Sequence, residues 1–156
     1  MQQIQLPAKY ILGIAIRTTN QNEQSALDIP QLWHDFHTQQ IQIKIPAKVS
    51  EDIYAIYAIY TDYESDFTAP YTTIIGCEVH ALTEIPEGMV SHIIPSGSYT
   101  KFEVQGNLLE NIVLDAWVKI WNSPNLERTY TSDFEVYGPK AQNPTQAEVA
   151  IYIATK

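Results

Sequence analysis

Two segments with the apolar spacing of amphipathic helices divide the chain, and each is bounded by short β-rich runs. The first helix is predicted to begin near Asp28, because Pro30 is tolerated only in a first turn. Its apolar positions follow the i, i+3, i+4, i+7 spacing of one buried face and are Ile29, Leu32, Trp33 and Phe36. Helices of this kind bury one stripe against a sheet, so the chain is predicted to be an α+β protein.

The second helix is predicted to begin at Asn107, with Glu110 in a capping-box position three residues later, and to end near Asn122-Ser123-Pro124. Its apolar face consists of Leu109, Val113, Ala116, Trp117 and Ile120. Trp33 and Trp117 thus occupy matching positions in the two helices. This correspondence suggests that the chain contains a duplicated unit.

The β-rich runs follow the same order around both helices. Strands are predicted at 10–16, 53–60, 71–79, 89–104 (one strand interrupted by a turn at 95–97), 133–137 and 149–154. The order predicts two β-α-β-β units, from about residue 6 to 80 and from about 88 to 156, joined by antiparallel pairing. A length of 156 residues fits one domain, 1–156.

Charge and composition narrow the class of function. The net charge of −9 argues against direct nucleic-acid binding, because such a surface repels phosphate and no run of Lys and Arg offsets it. No segment resembles a signal peptide or a membrane span, so a cytoplasmic protein without membrane contact is expected. Cys77 is the single cysteine, which leaves no internal disulfide.

Motifs for metals, cofactors and nucleophiles are weak. His34 and His37 could share a helix face, but no third ligand accompanies them. The acidic run 62–66 lacks the glycine and the closing glutamate of a calcium loop. No phosphate-binding glycine loop and no G-x-S-x-G motif occur. We therefore expect no metal and no cofactor.

One strand carries a carboxylate where a buried strand normally has none. The run Asp133 to Tyr137 has a β-rich composition with Glu135 at its centre. Alternation places Glu135 and Tyr137 on one face, with Phe134 and Val136 toward the core on the other. A carboxylate in an apolar cleft is costly, and a lipophilic cation would relieve that cost. The alternative, a solvated Glu135 on a half-exposed strand, remains open at this stage.

Aromatic residues supply the other candidates for a ligand cleft. Trp117 and Trp121 lie one turn apart on the second helix. The tyrosines of the first long strand recur every third residue, so Tyr57 is predicted to point opposite to Tyr54 and Tyr60. The candidate ligand-binding residues are therefore Glu135, Tyr137, Trp121, Trp117, Tyr99, Tyr57 and Tyr60.

Three stretches of the chain resemble one family. The run Gly97-x-Tyr99-x-x-Phe102-x-x-x-Gly106, the Trp-bearing helix after it and the 133–137 strand resemble GyrI-like effector-binding domains, the ligand-sensing parts of some AraC-type and MerR-type multidrug regulators. The resemblance implies a pseudo-twofold pair of β-α-β-β units with a ligand cleft between them. It also implies that Glu135 meets cationic, aromatic compounds. The chain shows no helix-turn-helix segment, so we expect it not to be a complete DNA-binding regulator.

Three functions fit these observations. The leading hypothesis is a stand-alone module that binds amphipathic, aromatic or cationic small molecules and either sequesters them or signals occupancy to a protein partner. A second hypothesis is a hydrolase of electrophilic small molecules, with Glu135 as general base. A third is an acidic protein-interaction module of the gyrase-inhibitor type.

Overall fold

A computed structural model describes residues 2–49 and 55–156, so the predicted strand residues Ile53 and Tyr54 lie outside the described residues. The strands are β1 (Gln2–Leu6), β2 (Lys9–Thr18), β3 (Ile56–Thr61), β4 (Tyr71–Val79), β5 (Val90–Ile94), β6 (Gly97–Gly106), β7 (Ser132–Tyr137) and β8 (Ala147–Ala154). The helices are α1 (Gln24–Thr38), α2 (Ile41–Lys44) and α3 (Ile112–Trp121). None of the helices in the described part of the chain is long and apolar enough to cross a membrane.

The strands form one eight-stranded sheet whose order is symmetrical about its centre. The order is β1-β6-β8-β7-β3-β4-β2-β5, and every neighbouring pair is antiparallel. Reading outward from the central β7–β3 pair gives β7-β8-β6 on one side and β3-β4-β2 on the other. The predicted pair of β-α-β-β units and their pseudo-twofold relation are therefore confirmed, with the two halves joined in a single sheet.

Each half also gives its first strand to the other half. β1 precedes β2 in the chain but pairs with β6, and β5 precedes β6 but pairs with β2. The prediction of one interrupted strand at 89–104 is therefore wrong, because β5 and β6 lie near opposite edges of the sheet. Only two residues lie between Ile94 and Gly97, so the connection spans at most about 11 Å. The sheet must curl until its two ends approach each other.

Apolar residues cover both faces of this curled sheet. The concave face carries a cluster that includes Ile94 of β5, Tyr99 of β6 and Phe134 of β7. On the other face, one cluster packs beneath α1 and includes Leu32 and Phe36. A second packs beneath α3 and includes Trp117 and Ile120. The two helices therefore lie side by side on the convex face, over the two halves of the sheet.

The predicted helix starts require correction. α1 begins at Gln24, so Pro30 lies inside the helix rather than in its first turn. The missing N–H and the proline ring cost about 3 kcal/mol in a helix interior. The burial of Leu32 and Phe36 against the sheet is sufficient to hold the helix together through this position.

α3 begins later than predicted, at Ile112. Asn107 caps a separate 3-10 turn, accepting a hydrogen bond from the amide of Leu109, and Asn111 then takes a left-handed conformation with φ of 59°. That break turns Leu109 away from the helix face, so its side chain is 77 % exposed. The predicted helix end near Pro124 is confirmed within three residues, since α3 ends at Trp121.

Two glycines allow strands β2 and β4 to approach closely. Gly13 of β2 pairs directly with Gly76 of β4, and a Cβ atom on Gly13 would overlap the carbonyl oxygen of Ile75. We predict that Gly13→Ala lowers the free energy of unfolding by about 1–3 kcal/mol, because the strands must move apart. A urea titration measures this change. Gly138→Ala is the control, since nothing lies within 4 Å of that position. Equal midpoints for both variants would contradict the prediction.

Candidate functional site

A cavity of about 280 Å³ opens between α1 and α3, with the central strands β3 and β7 as its floor. It therefore lies over the pseudo-twofold centre of the sheet. The lining residues come from α1 and α3, from strands β3, β4 and β7 and from three loops; they are Asn20, Ser25, Ala26, Ile29, Pro30, Trp33, Tyr60, Tyr63, Phe67, Tyr71, Val113, Leu114, Trp117, Trp121, Arg128, Glu135 and Tyr137.

Aromatic side chains form almost half of the cavity lining. Eight of the seventeen described lining residues are Trp, Tyr or Phe. Trp121 stacks on Phe67 with ring centroids 5.6 Å apart, and Trp33 packs edge-on against Tyr137 at 4.9 Å. These contacts fix the orientations of the rings, so the wall presents several π-faces and ring edges to whatever enters.

Glu135 lies at the floor of the cavity and is 2 % exposed. Three neutral donors hold its carboxylate. The indole Nε1 of Trp117 donates to Oε2 at 2.6 Å, and the hydroxyl of Tyr60 donates to the same oxygen at 3.0 Å. The hydroxyl of Tyr137 donates to Oε1 at 2.6 Å. Among the residues that the structure describes, no Lys, Arg or His forms an ion pair with Glu135.

The surroundings of Glu135 raise its pKa and the pKa of the two tyrosines that donate to it. Burial raises the pKa of Glu135 above its usual value, and the hydrogen bonds from Tyr137, Trp117 and Tyr60 offset only part of that rise. Burial, reinforced by the negative charge of Glu135, raises the pKa of both Tyr60 and Tyr137. The two phenols therefore remain protonated and act as donors to the carboxylate.

A second buried carboxylate, two residues away on the same face of β7, has a different environment. Asp133 is fully buried and forms an ion pair with Arg128. Its Oδ2 accepts a hydrogen bond from Nη2 of Arg128 at 2.7 Å. It also accepts hydrogen bonds from the hydroxyl of Tyr63 and from the amide of Ala154. Asp133 thus has its own cation and ties β7 to its surroundings. Glu135 has neutral donors alone and borders the cavity.

The structure brings five of the seven predicted site residues together. Glu135, Tyr137, Trp117, Trp121 and Tyr60 all line the cavity. Alternation along β7 places Phe134 and Val136 on the opposite face, as the sequence indicated, although both faces are covered.

The other two predicted site residues lie outside the cavity. Tyr57 is three residues from Tyr60 and so points to the concave face, where its ring stacks on Phe134. Tyr99 lies in the same cluster, and its hydroxyl donates to the carbonyl oxygen of Pro95. Both side chains are core residues of the concave face, and we remove them from the set of candidate ligand contacts.

Sequence reasoning did not select several lining residues, namely Trp33, Tyr63, Phe67, Tyr71 and Arg128. Trp33 could have been found from the repeat, since it occupies the position in α1 that Trp117 occupies in α3. Tyr63 and Phe67 belong to the polar loop between β3 and β4, where aromatic residues have no sheet face to cover. No local signal marks Arg128, whose place depends on its pairing with Asp133.

We predict that Glu135→Gln changes how stability depends on pH. A raised folded pKa means that the ionised carboxylate opposes folding at pH above that pKa. The penalty is relieved as the pH falls through the folded pKa toward the unfolded value near 4.5. The parent should therefore lose stability relative to the variant as the pH rises from the unfolded pKa to the folded pKa. The loss in the free energy of unfolding is about 1.4 kcal/mol for each unit by which the folded pKa exceeds the unfolded one. Urea titrations from pH 5 to 8 measure it. A parent that gains stability relative to the variant with rising pH would show that the three donors depress the pKa instead.

Known proteins resemble this chain in both sequence and architecture. Residues 4–155 match the family model Cass2, described as an integron-associated effector binding protein. The Bacillus subtilis (strain 168) protein named "Putative transcriptional regulator protein YobU" is 32% identical over 154 residues, covering 97% of this chain and 94% of that protein.

Two solved structures extend the comparison. The integron cassette protein VCH_CASS2 from Vibrio cholerae superimposes with a TM-score of 0.75 and 26% identity, covering 99% of this chain and 95% of that one. SAV2435, solved bound to tetraphenylphosphonium, gives a TM-score of 0.80 at 18% identity, covering 99% of this chain and 93% of that one, and shows a shared fold. The resemblance to effector-binding domains is confirmed: the chain belongs to the Cass2 family of effector-binding proteins.

Proposed function

We propose that this protein binds amphipathic, aromatic cations in the cavity between α1 and α3, with Glu135 as their counter-charge. One observation carries the proposal. A carboxylate that is 2 % exposed lies at the floor of an aromatic cavity and has no cationic partner among the described residues. A bound cation would supply the missing charge without displacing the three donors that position the carboxylate.

The cavity wall favours the same ligand class on independent grounds. A cation over the face of a Trp or Tyr ring gains roughly 0.5–2 kcal/mol, with the larger values in desolvated sites. The aliphatic residues of the helices, such as Ile29 and Val113, add apolar surface for the hydrophobic part of the ligand. A small hydrophilic cation would lose its hydration in this cavity and would gain few apolar contacts in return. An aromatic cation therefore fits better.

We favour binding over hydrolysis because of how Glu135 is held. A general base needs a free lone pair directed at a water molecule. Both oxygens of Glu135 already accept hydrogen bonds, and one of them accepts two. Three of its four lone-pair sites are therefore occupied, which holds the carboxylate as a fixed charge and leaves a single site, on Oε1, for any other donor.

The biological setting that we propose follows from the family. Effector binding is the described property of the Cass2 family, and SAV2435 was solved with tetraphenylphosphonium, a lipophilic aromatic cation. We propose that this protein acts in the cytoplasm as a sensor or a sequestering protein for compounds of this type, including multidrug-like cations. A sensor would pass occupancy to a protein partner, whereas a sequestering protein would need none.

Two ions of the same shape and opposite charge test the proposal. Tetraphenylphosphonium and tetraphenylborate are nearly isosteric, so their difference in affinity isolates the sign of the charge. We expect tetraphenylphosphonium to bind and to change tryptophan fluorescence, because Trp33, Trp117 and Trp121 line the cavity. Glu135→Gln should weaken that binding about 10- to 100-fold, as expected for loss of a charge-assisted contact. Calorimetry at an ionic strength of about 0.15 M, where surface charges are screened, measures both affinities.

Glu103→Gln is the matched control. The side chain of Glu103 is 69% exposed on β6, so this substitution removes the same charge from the surface of the protein. We expect this variant to bind tetraphenylphosphonium within about twofold of the parent, since long-range surface charge is largely screened. Equal weakening by both variants, or equal affinity for the two ions, would show that Glu135 is not the counter-charge.

A further inference from the structure

A second polar side chain of the cavity lining, Arg128, has hydrogen-bond donors that are not used. Arg128 lines the cavity, and its side chain is 5% exposed. Its Nη2 donates to Oδ2 of Asp133 at 2.7 Å. Its Nε and Nη1 are buried, and neither has an acceptor within the described ranges 2–49 and 55–156. In those ranges Arg128 is also the only cationic side chain that lines the cavity.

Unused donors of this kind need an explanation. A guanidinium carries five N–H donors, and a buried donor without an acceptor is destabilising. Asp133 accepts from only one nitrogen of Arg128, and its other contacts are with the hydroxyl of Tyr63 on Oδ2 and the amide of Ala154 on Oδ1. The ring of Tyr130, whose centroid is 4.3 Å from Cζ, attracts the charge of the guanidinium. A π-face does not replace acceptors in the plane of the N–H bonds.

Arg128 and Glu135 lie close enough to contact one ligand. Asp133, which holds Arg128, and Glu135 are two residues apart on the same face of β7, a separation of about 7 Å. Trp117 links the two groups. Its indole donates to Glu135, and its ring centroid is 6.0 Å from Cζ of Arg128.

We propose that the cavity selects cationic aromatic compounds that also carry a carbonyl or carboxylate oxygen, and that Arg128 is the donor to that oxygen. A distance of about 6–8 Å between the cationic centre and the acceptor matches the spacing along β7. Arg128 lines the cavity, and we infer that its buried Nη1 or Nε turns toward the acceptor of a bound ligand. The inference rests on the proposed cation site at Glu135 and adds a second determinant of specificity at its other end.

Three small rigid cations test this second anchor. Phenyltrimethylammonium carries only the cationic centre, and its para-carboxamide and para-carboxylate derivatives add a neutral or a charged acceptor. In the parent protein, we expect both derivatives to bind about tenfold more tightly than phenyltrimethylammonium, as a hydrogen bond to a charged group provides. The carboxamide separates hydrogen bonding from the repulsion that a protein of net charge −9 exerts on a carboxylate.

Arg128→Lys tests whether Arg128 is the donor. Lysine keeps a cation for Asp133 but has a single nitrogen, so it cannot donate to the ligand from a second nitrogen while it holds Asp133. We expect the ratio of affinities between each derivative and phenyltrimethylammonium to fall to about one in this variant. Arg17→Lys is the control, since Arg17 is exposed and hydrogen-bonds the loop after β3, and it should keep the ratio of the parent.

Each result decides the inference. Equal affinities of the three compounds in the parent, as expected if ordered water occupies the donors, would overturn it even if Arg128→Lys failed to fold. A ratio that survives in Arg128→Lys would place the acceptor contact on another residue. Binding by phenyltrimethylammonium without a gain for the derivatives leaves the cation site intact and removes the role of Arg128. Failure of all three to bind would overturn the cation site and this inference together.

Discussion

The pairing of β3 with β7 is the contact on which the site depends. It joins the two halves of the sheet at the pseudo-twofold centre, and its register sets Ala58 directly opposite Glu135. Because alanine is small, the carboxylate has space above the sheet. Tyr60, two residues along β3 on the same face, reaches it diagonally. A shift of one residue in this register would turn Glu135 toward the concave core.

Two buried carboxylates on the same face of β7, Asp133 and Glu135, have different partners. Asp133 has an arginine and is enclosed by protein, whereas Glu135 has three neutral donors and faces a cavity. The Asp133 carboxylate has its counter-charge within the protein, so it needs no ligand to balance it. A buried carboxylate with neutral donors is held in position with its charge uncompensated, so part of the binding free energy of a cation would come from relieving that state.

Strand and helix composition predicted most elements in their order, without β1 and α2 and with β5 and β6 merged, and alternation predicted the faces of β7. Both kinds of prediction follow from local spacing. The sequence did not reveal that β5 and β6 lie near opposite edges of the sheet, since strand exchange between halves is a property of pairing and not of composition. It also did not show that both faces of the sheet are covered. For this reason Tyr57 and Tyr99 were interpreted as cleft residues, although they pack in the concave core. Arg128 has no sequence signal at all, because only the tertiary contact with Asp133 places it at the cavity.

A crystal structure of the complex with tetraphenylphosphonium tests the central claim most directly. The account predicts that the phosphorus atom lies between α1 and α3, within about 6 Å of at least one aromatic ring centroid of the cavity wall, with its nearest carboxylate being Glu135. The three hydrogen bonds to Glu135 should remain in place. Density for the ligand on the concave face or on the outer surface, with Glu135 unchanged and the cavity unoccupied, would contradict the assignment of this cavity as the binding site.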